Sequence, residues 1–324
     1  MQSQQETLVA STRQVSVEAR RRKPFPVHIV VFLAPAVIIY TLFMIYPLVD
    51  SLRLSLYAEN ENNQEVFVGL NNYVTLFTNE NYAPRLWGAI KNNVFFFIVH
   101  MAVQNPLGLL LATLLSSRII KGRALYRTLI FTPTVLSVVL IGFIWRLILN
   151  PVWGIANDIL GVLGVEGQPW LGLPETALPA ISLISVWQWV GVPMILFLAA
   201  LVSIPDELTE AARVDGATAW DVFWQVRFPL ILPTVGIVGI LTFVGNFNAF
   251  DLVYAAQGAL APPNFSTDLL GTFFYRTFFG YQLQLGNPTM GATIAGVMFL
   301  IILAGVLVYL VGWQRRLLKL DIQL

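Results

Sequence analysis

The 324-residue chain has no cysteine, only two histidines, and 11% charged residues. The missing cysteine excludes a disulfide framework and any thiolate metal site. The two histidines, His28 and His100, lie in apolar segments with no His, Asp or Glu three or four positions further on. Each reads as a packed or hydrogen-bonded side chain rather than a metal ligand or an acid–base catalyst. Soluble domains carry about 25% charged residues, so this chain has too little charge to cover a water-facing surface. No G-x-x-x-x-G-K-[ST] stretch occurs, which removes the phosphate-cradling loop of an ATPase. A net charge of +1 points to no nucleic acid or other polyanionic partner.

What is present is hydrophobic, 56% of the chain. A membrane helix needs about 20 apolar residues in sequence. Runs of that kind fall at about 28–49, 88–116, 123–149, 178–203, 230–256 and 290–312. The expectation is an all-α polytopic membrane protein with six transmembrane helices. The first run is too long for the core of a signal peptide and lacks a small-x-small cleavage site. Pro35 and Pro47 are expected to kink or end it. Residues 1–23 read as a polar tail, 24–312 as the membrane domain and 313–324 as a second tail. With six spans both termini share one side, and 14 of the 19 Lys and Arg fall on that side. The five others are Arg53, Arg85, Lys91, Arg146 and Arg276. The positive-inside rule therefore predicts cytoplasmic termini. The outer segments 50–87, 150–177 and 257–289 read as loops and short amphipathic pieces, with Glu59, Glu61 and Glu65 as a solvated acidic cluster.

One cytoplasmic loop, 204–229, interrupts the apolar pattern with SIPDELTEAARVDGATAWDVFWQVRFP from Ser203 onward. Ser203 with Asp206 fits a capping box, and Pro205 suits a first helical turn. Asp206, Glu207 and Glu210 favour the positive end of the helix dipole, and Gly216 suits a left-handed C-cap. Thr218 and Asp221 repeat the capping pattern for a second short helix, which Pro229 and Pro233 are expected to stop. Leu208, Ala211, Ala212, Val222 and Phe223 would form an apolar face rimmed by charge, the mark of a docking site. Interfacial lipid-binding helices favour Lys and Arg, whereas 206–215 holds four carboxylates, Asp206, Glu207, Glu210 and Asp215, against Arg213.

The stretch Glu210-Ala211-Ala212, Gly216, then Val226-Arg227-Phe228-Pro229 resembles the EAA loop of binding-protein-dependent ABC transporter permeases, with Val for Ile and Phe for Leu. FVGLNNY (67–73), FIWRLILNPVWGIAND (143–158), VWQWVGVPMILFLAALVSIP (186–205) and NAFDLVY (248–254) resemble the carbohydrate branch, the maltose and glycerol-phosphate type. QGALAPP departs from the glycine-proline run usual there. The resemblance implies a permease subunit, not an enzyme, for import of a sugar or sugar derivative at a bacterial or archaeal inner membrane. It implies a second homologous permease, two ATPase subunits carrying ATP and Mg, and an extracytoplasmic sugar-binding protein. No cofactor is expected on this chain. Coupling to the ATPase would fall on Glu210, Ala211, Ala212, Asp215, Gly216, Val226 and Pro229.

Polar groups in mid-membrane are costly and mark a pathway. The fifth run carries Thr242, Asn246 and Ala249 on one helical face and Asn248 with Asp251 on another. The first face would line the path and the second meet neighbouring helices, Asp251 serving structure near the outer surface. The resemblance places sugar contacts at Asn246 and Ala249, at Thr134 and Val138, and at Val190, Gly191 and Met194. Trp145, Trp187 and Gln188 add aromatic faces and an amide suited to sugars, although each Trp also fits interfacial anchoring. Alternatives are a self-sufficient secondary transporter, which has no use for an EAA loop, and an ABC permease for a solute other than a sugar. A membrane-embedded enzyme lacks the positioned acids, bases or ligands it would need.

Overall fold

The computed structural model describes residues 27–60, 64–117, 120–164, 166–282 and 285–315. The expected tail 1–23, Glu61, Arg118 and the chain beyond 315 lie outside the described residues. Four helices are long and apolar enough to span a membrane: α1 (Ile29–Leu54), α3 (Ala83–Ser116), α10 (Ala219–Phe247) and α13 (Pro288–Gln314). Two bent pairs complete six: α4 (Arg123–Val135) with α5 (Val138–Ile148), and α7 (Pro174–Trp189) with α8 (Gly191–Val202). Shorter helices are α2 (Asn71–Thr78), α6 (Ile155–Val162), α9 (Asp206–Val214), α11 (Asp251–Gln257) and α12 (Leu270–Phe279). A two-stranded antiparallel hairpin, β1 (Tyr57–Glu59) and β2 (Glu65–Phe67), was not foreseen. Residues through Val49 form one contact unit, and those from Asp50 onward form a second that holds the remaining elements.

Two of the six expected spans are not straight. The 123–149 run bends by 96° between Val135 and Val138, and the 178–203 run by 42° at Val190. The fifth ends early: α10 stops at Phe247, and α11 starts at Asp251 after a break at Asn248–Phe250. The expected stop at Pro229 and Pro233 is absent, because α10 runs through both, and neither Pro35 nor Pro47 ends α1. The reason is visible in the backbone. A proline removes one hydrogen bond from the ladder, and before three prolines the helix widens to accommodate this. Thr41–Ile45, His100–Gln104 and Val222–Arg227 are π-helical turns ahead of Pro47, Pro106 and Pro229. Tyr46, Asn105 and Phe228, each the residue before a proline, bond to carbonyls five residues back, those of Thr41, His100 and Phe223.

Buried polar groups tie the end of the second unit remote from the 204–229 loop together. Asn93, fully buried, donates to the Asn246 carbonyl at 2.8 Å and accepts from the Leu270 amide at 2.8 Å, joining α3, α10 and α12. Asn92 donates to the carbonyls of Ser266 and Asp268. Arg276 and Asp268 form a buried ion pair at 2.7 Å, and Arg276 also donates to the Ala259 carbonyl at 2.6 Å. Such a pair is costly to break from one side, because the remaining charge is left buried. Glu59 and Glu65 are exposed cross-strand neighbours, as expected of a solvated cluster.

Candidate functional site

The 204–229 loop forms from local chemistry. Ala217 donates to the Ala212 carbonyl at 3.0 Å and Gly216 to the Arg213 carbonyl at 3.1 Å. This pair of bonds is a Schellman motif, which requires a left-handed residue just past the helix end, and Gly216 has φ +87°. The spacing from Ala212 to Gly216 is thus the spacing of the motif. Thr218 and Asp221 form a capping box, with the Thr218 amide donating to the Asp221 carboxylate at 3.0 Å. The other expected box does not form: Pro205 occupies the N-cap of α9, and Ser203 donates to the Ala200 carbonyl instead. The expected second short helix is instead the first turns of α10, since the wide turn carries the chain through Pro229. Leu208, Trp220 and Trp224 are exposed, whereas Val222 is buried and so is not on a docking face. Glu210, Ala211, Asp215, Gly216 and Pro229 are exposed, and Ala212 and Val226 half-buried.

The second unit also holds a partly open cavity of about 390 Å³. Phe96, His100 and Gln104 of α3 line one wall; Ser185 and Trp189 of α7, with Val192, Pro193 and Leu196 of α8, line another. Val138 of α5 and Val238, Leu241, Thr242, Gly245 and Asn246 of α10 contribute, and the α10–α11 break adds Asn248 through Val253. His100 Nδ1 lies 2.7 Å from the Phe96 carbonyl and Nε2 2.9 Å from Ser185 Oγ. Phe96 offers only an acceptor, so Nδ1 carries the hydrogen and Ser185 donates to Nε2. Thr242 donates to the Val238 carbonyl at 2.8 Å, and Asn105 donates to Thr242 Oγ1 at 3.1 Å. Asn246 Nδ2 donates to the Thr242 carbonyl at 2.7 Å, while its Oδ1 has no protein partner.

The structure brings some of the predicted pathway residues together and separates others. Val138, Thr242, Asn246, Asn248, Ala249 and Asp251 all line this one cavity. The two polar faces expected of the fifth span therefore collapse into one, because the break after Phe247 redirects Asn248, Ala249 and Asp251. Thr134, Trp145, Trp187, Gln188, Val190, Gly191 and Met194 are absent from the lining. Trp145 and Trp187 face each other edge-on at 5.6 Å. Thr134 donates to the Phe131 carbonyl. Gln188 is fully buried with neither side-chain polar atom bonded. Val190 and Met194 are buried, Met194 in a cluster with Phe197, Leu198 and Leu201. A Cβ on Gly191 would lie 2.9 Å from Phe131 Cα, so this glycine serves close helix packing. The cavity stripe on this pair is instead Trp189, Val192, Pro193 and Leu196. Sequence reasoning missed Gln104, Ser185 and Trp189 as cavity-lining residues and read His100 as a packed or hydrogen-bonded side chain. The available signal was three polar residues, His100, Gln104 and Asn105, in the middle of an apolar run.

Among the described residues no group of three or more His, Cys, Asp or Glu could hold a metal ion. The family model described as "Binding-protein-dependent transport system inner membrane component" matches residues 104–319. The lactose transport system permease protein LacF of Rhizobium radiobacter is 32% identical over 273 residues, covering 84% of this chain and 89% of LacF. The trehalose/maltose transport system permease protein MalF of Thermococcus litoralis is 30% identical over 284 residues, covering 87% and 92%. A crystal structure of a bacterial ABC transporter involved in import of the acidic polysaccharide alginate matches with TM-score 0.73 and 25% identity, covering 89% of this chain and 95% of its own.

Proposed function

The chain belongs to the family of binding-protein-dependent transport system inner membrane components, and from that premise we propose that it forms half of the path by which an ATP-driven importer carries a sugar or sugar derivative inward. It is a membrane translocation subunit of an ABC importer rather than an enzyme. The observation that carries the pathway reading is the cavity, where apolar spans present Gln104, Asn246 and Asn248 beside the indole of Trp189. Amides and an aromatic face suit a hydroxylated ring, and polar groups at membrane depth are otherwise costly. The named substrates of relatives, lactose, trehalose/maltose and alginate, support a carbohydrate without fixing its charge.

The remaining half of the path is a second homologous permease. Two ATPase subunits bearing ATP and Mg dock at Glu210–Gly216, and an extracytoplasmic binding protein delivers the sugar to the outer loops. The membrane domain covers 24–312 and meets lipid around its spans, and the tails 1–23 and 313–324 face the cytoplasm of a bacterium or archaeon. ATP binding closes the ATPases, α9 moves with them, and the spans open outward. Hydrolysis restores the inward-facing state.

The test is purification of the tagged chain from its native membrane in mild detergent, with mass spectrometry of what accompanies it. The expected companions are a Walker-motif ATPase and a second permease. A chain that emerges alone and still moves sugar in liposomes is a secondary transporter, and the proposal falls.

A further inference from the structure

Phe250 lines the cavity, and it is also the first ring of an aromatic cluster that continues beyond the lining. Its centroid lies 5.1 Å from that of Tyr254 on α11 and 5.1 Å from that of Tyr275 on α12, with interplanar angles of 30° and 34°. Tyr254 and Tyr275 are themselves 5.1 Å apart, and Phe279 extends the row 5.1 Å past Tyr275. Two pairs at helical i,i+4 spacing, Phe250 with Tyr254 and Tyr275 with Phe279, thus meet from different elements. The meeting depends on a close approach. A Cβ on Gly271 of α12 would lie 2.7 Å from the Ala249 carbonyl oxygen and 3.0 Å from Phe250 Cβ, so glycine lets α12 seat directly against the α10–α11 break.

Phe250, Tyr254 and Tyr275 are half-buried and Phe279 is 63% exposed, so the rings keep accessible surface. Aromatic rings at a membrane surface often serve as anchors in the lipid headgroups. Here the lip that the rings share with the cavity also carries Asp251, which is exposed and lines the cavity beside Phe250. A carboxylate facing hydrocarbon is costly, so this lip faces water. Ring faces with hydroxyls at their edges, next to a carboxylate that accepts hydrogen bonds, suit the C–H side and the hydroxyls of a sugar unit. The cavity itself, about 390 Å³, is near the small end of ligand pockets, which run from about 300 to 1,000 Å³. A chain of several sugar units would project from it over these rings.

We infer that Phe250, Tyr254, Tyr275 and Phe279 form a second sugar-binding subsite at the mouth of the cavity, so that the substrate is an oligosaccharide longer than a disaccharide. The leading unit occupies the cavity and the following units lie on the aromatic platform. This inference rests on the reading of the cavity as the sugar path.

The test uses the whole complex, with its partner permease and ATPases, in lipid nanodiscs without the binding protein, so that only the membrane site chooses. Disaccharides and tetrasaccharides of the malto-, cello- and arabino-series are titrated by calorimetry. In at least one series the tetrasaccharide should bind about tenfold more tightly than the disaccharide, through the apolar area it covers on the rings. Tyr275→Leu and the gentler, exposed Phe279→Leu keep apolar bulk but remove a flat face, and each should bring the tetrasaccharide down toward the disaccharide. Asn246→Leu, inside the cavity, should weaken both lengths. Because the chain has no cysteine, Phe279→Cys introduces its only thiol, which a water-soluble maleimide should label in the intact complex. A thiol that stays unreactive is covered by lipid or by the partner permease, and the inference falls. Equal binding of the two lengths in every series that binds, or a length gain that survives both Leu variants, also overturns it and leaves the sugar path standing. If no series binds at either length, the sugar path falls and this inference with it.

Discussion

The 204–229 loop and the cavity wall share one helix, α10, yet they are held in opposite ways. At the loop, the defining bonds join near neighbours: Ala217 to Ala212, Gly216 to Arg213, Thr218 to Asp221. At the cavity and the opposite end, the bonds join distant parts of the chain: His100 to Ser185, Asn105 to Thr242, Asn93 to Asn246 and Leu270. A locally made element fails alone when damaged. An element made by long-range pairs takes its neighbours with it. Stability and transport should therefore come apart at the loop and move together at the other end.

The largest effect is expected where a long-range charge is buried. Arg276→Met leaves Asp268 without its partner and should cost about 3–5 kcal/mol. Thermal unfolding in nanodiscs, followed by tryptophan fluorescence, should show it, and uptake should fall in step. A loss under about 1 kcal/mol, the range of an exposed pair, would mean that this end is not held as described. Gly216→Val should cost only about 1–2 kcal/mol, the strain of a branched residue in the left-handed region. Uptake should nevertheless vanish while sugar binding in the cavity persists. Should binding vanish too, loop and cavity are not separable. Thr218→Ala, which removes one cap, should cost about 1 kcal/mol or less and reduce uptake without abolishing it. A transport loss as complete as that of Gly216→Val would show the cap to be part of the docking surface itself.

The same division explains what could be read from the sequence. Gly216 and the Thr218–Asp221 box were legible, because their partners lie within five residues and the chemistry is specific to residue type. The spans were legible from apolar length. The bends at Val135–Val138 and Val190 were not, since a run of apolar residues says nothing of direction. Faces followed from those bends. The resemblance marked Val190, Gly191 and Met194 for the path; in the structure they lie in the helix packing, and Trp189, Val192, Pro193 and Leu196 of the same pair line the cavity. Counting helical angles along a straight fifth span split Asn246 from Asn248 and Asp251, which line one cavity. Ser203 failed as a cap because the carbonyl of Ala200 lies within reach of its hydroxyl.

The wide turn at His100–Gln104 also settles a matter of phase. Buried positions on α3 recur every three or four residues from Leu86 to His100, and again from Asn105 to Leu115. In an uninterrupted helix Asn93 and Asn105 would lie about 120° apart around the axis; with one residue absorbed by the turn they differ by about 20°. Both can then reach α10, Asn93 at Asn246 and Asn105 at Thr242. The turn works as a one-residue clutch between two halves of a single rod. Removing one residue from it would rotate everything toward Ser116 by about 100° relative to the half that begins at Ala83, and a helix of nearly unchanged composition would show its neighbours a different face.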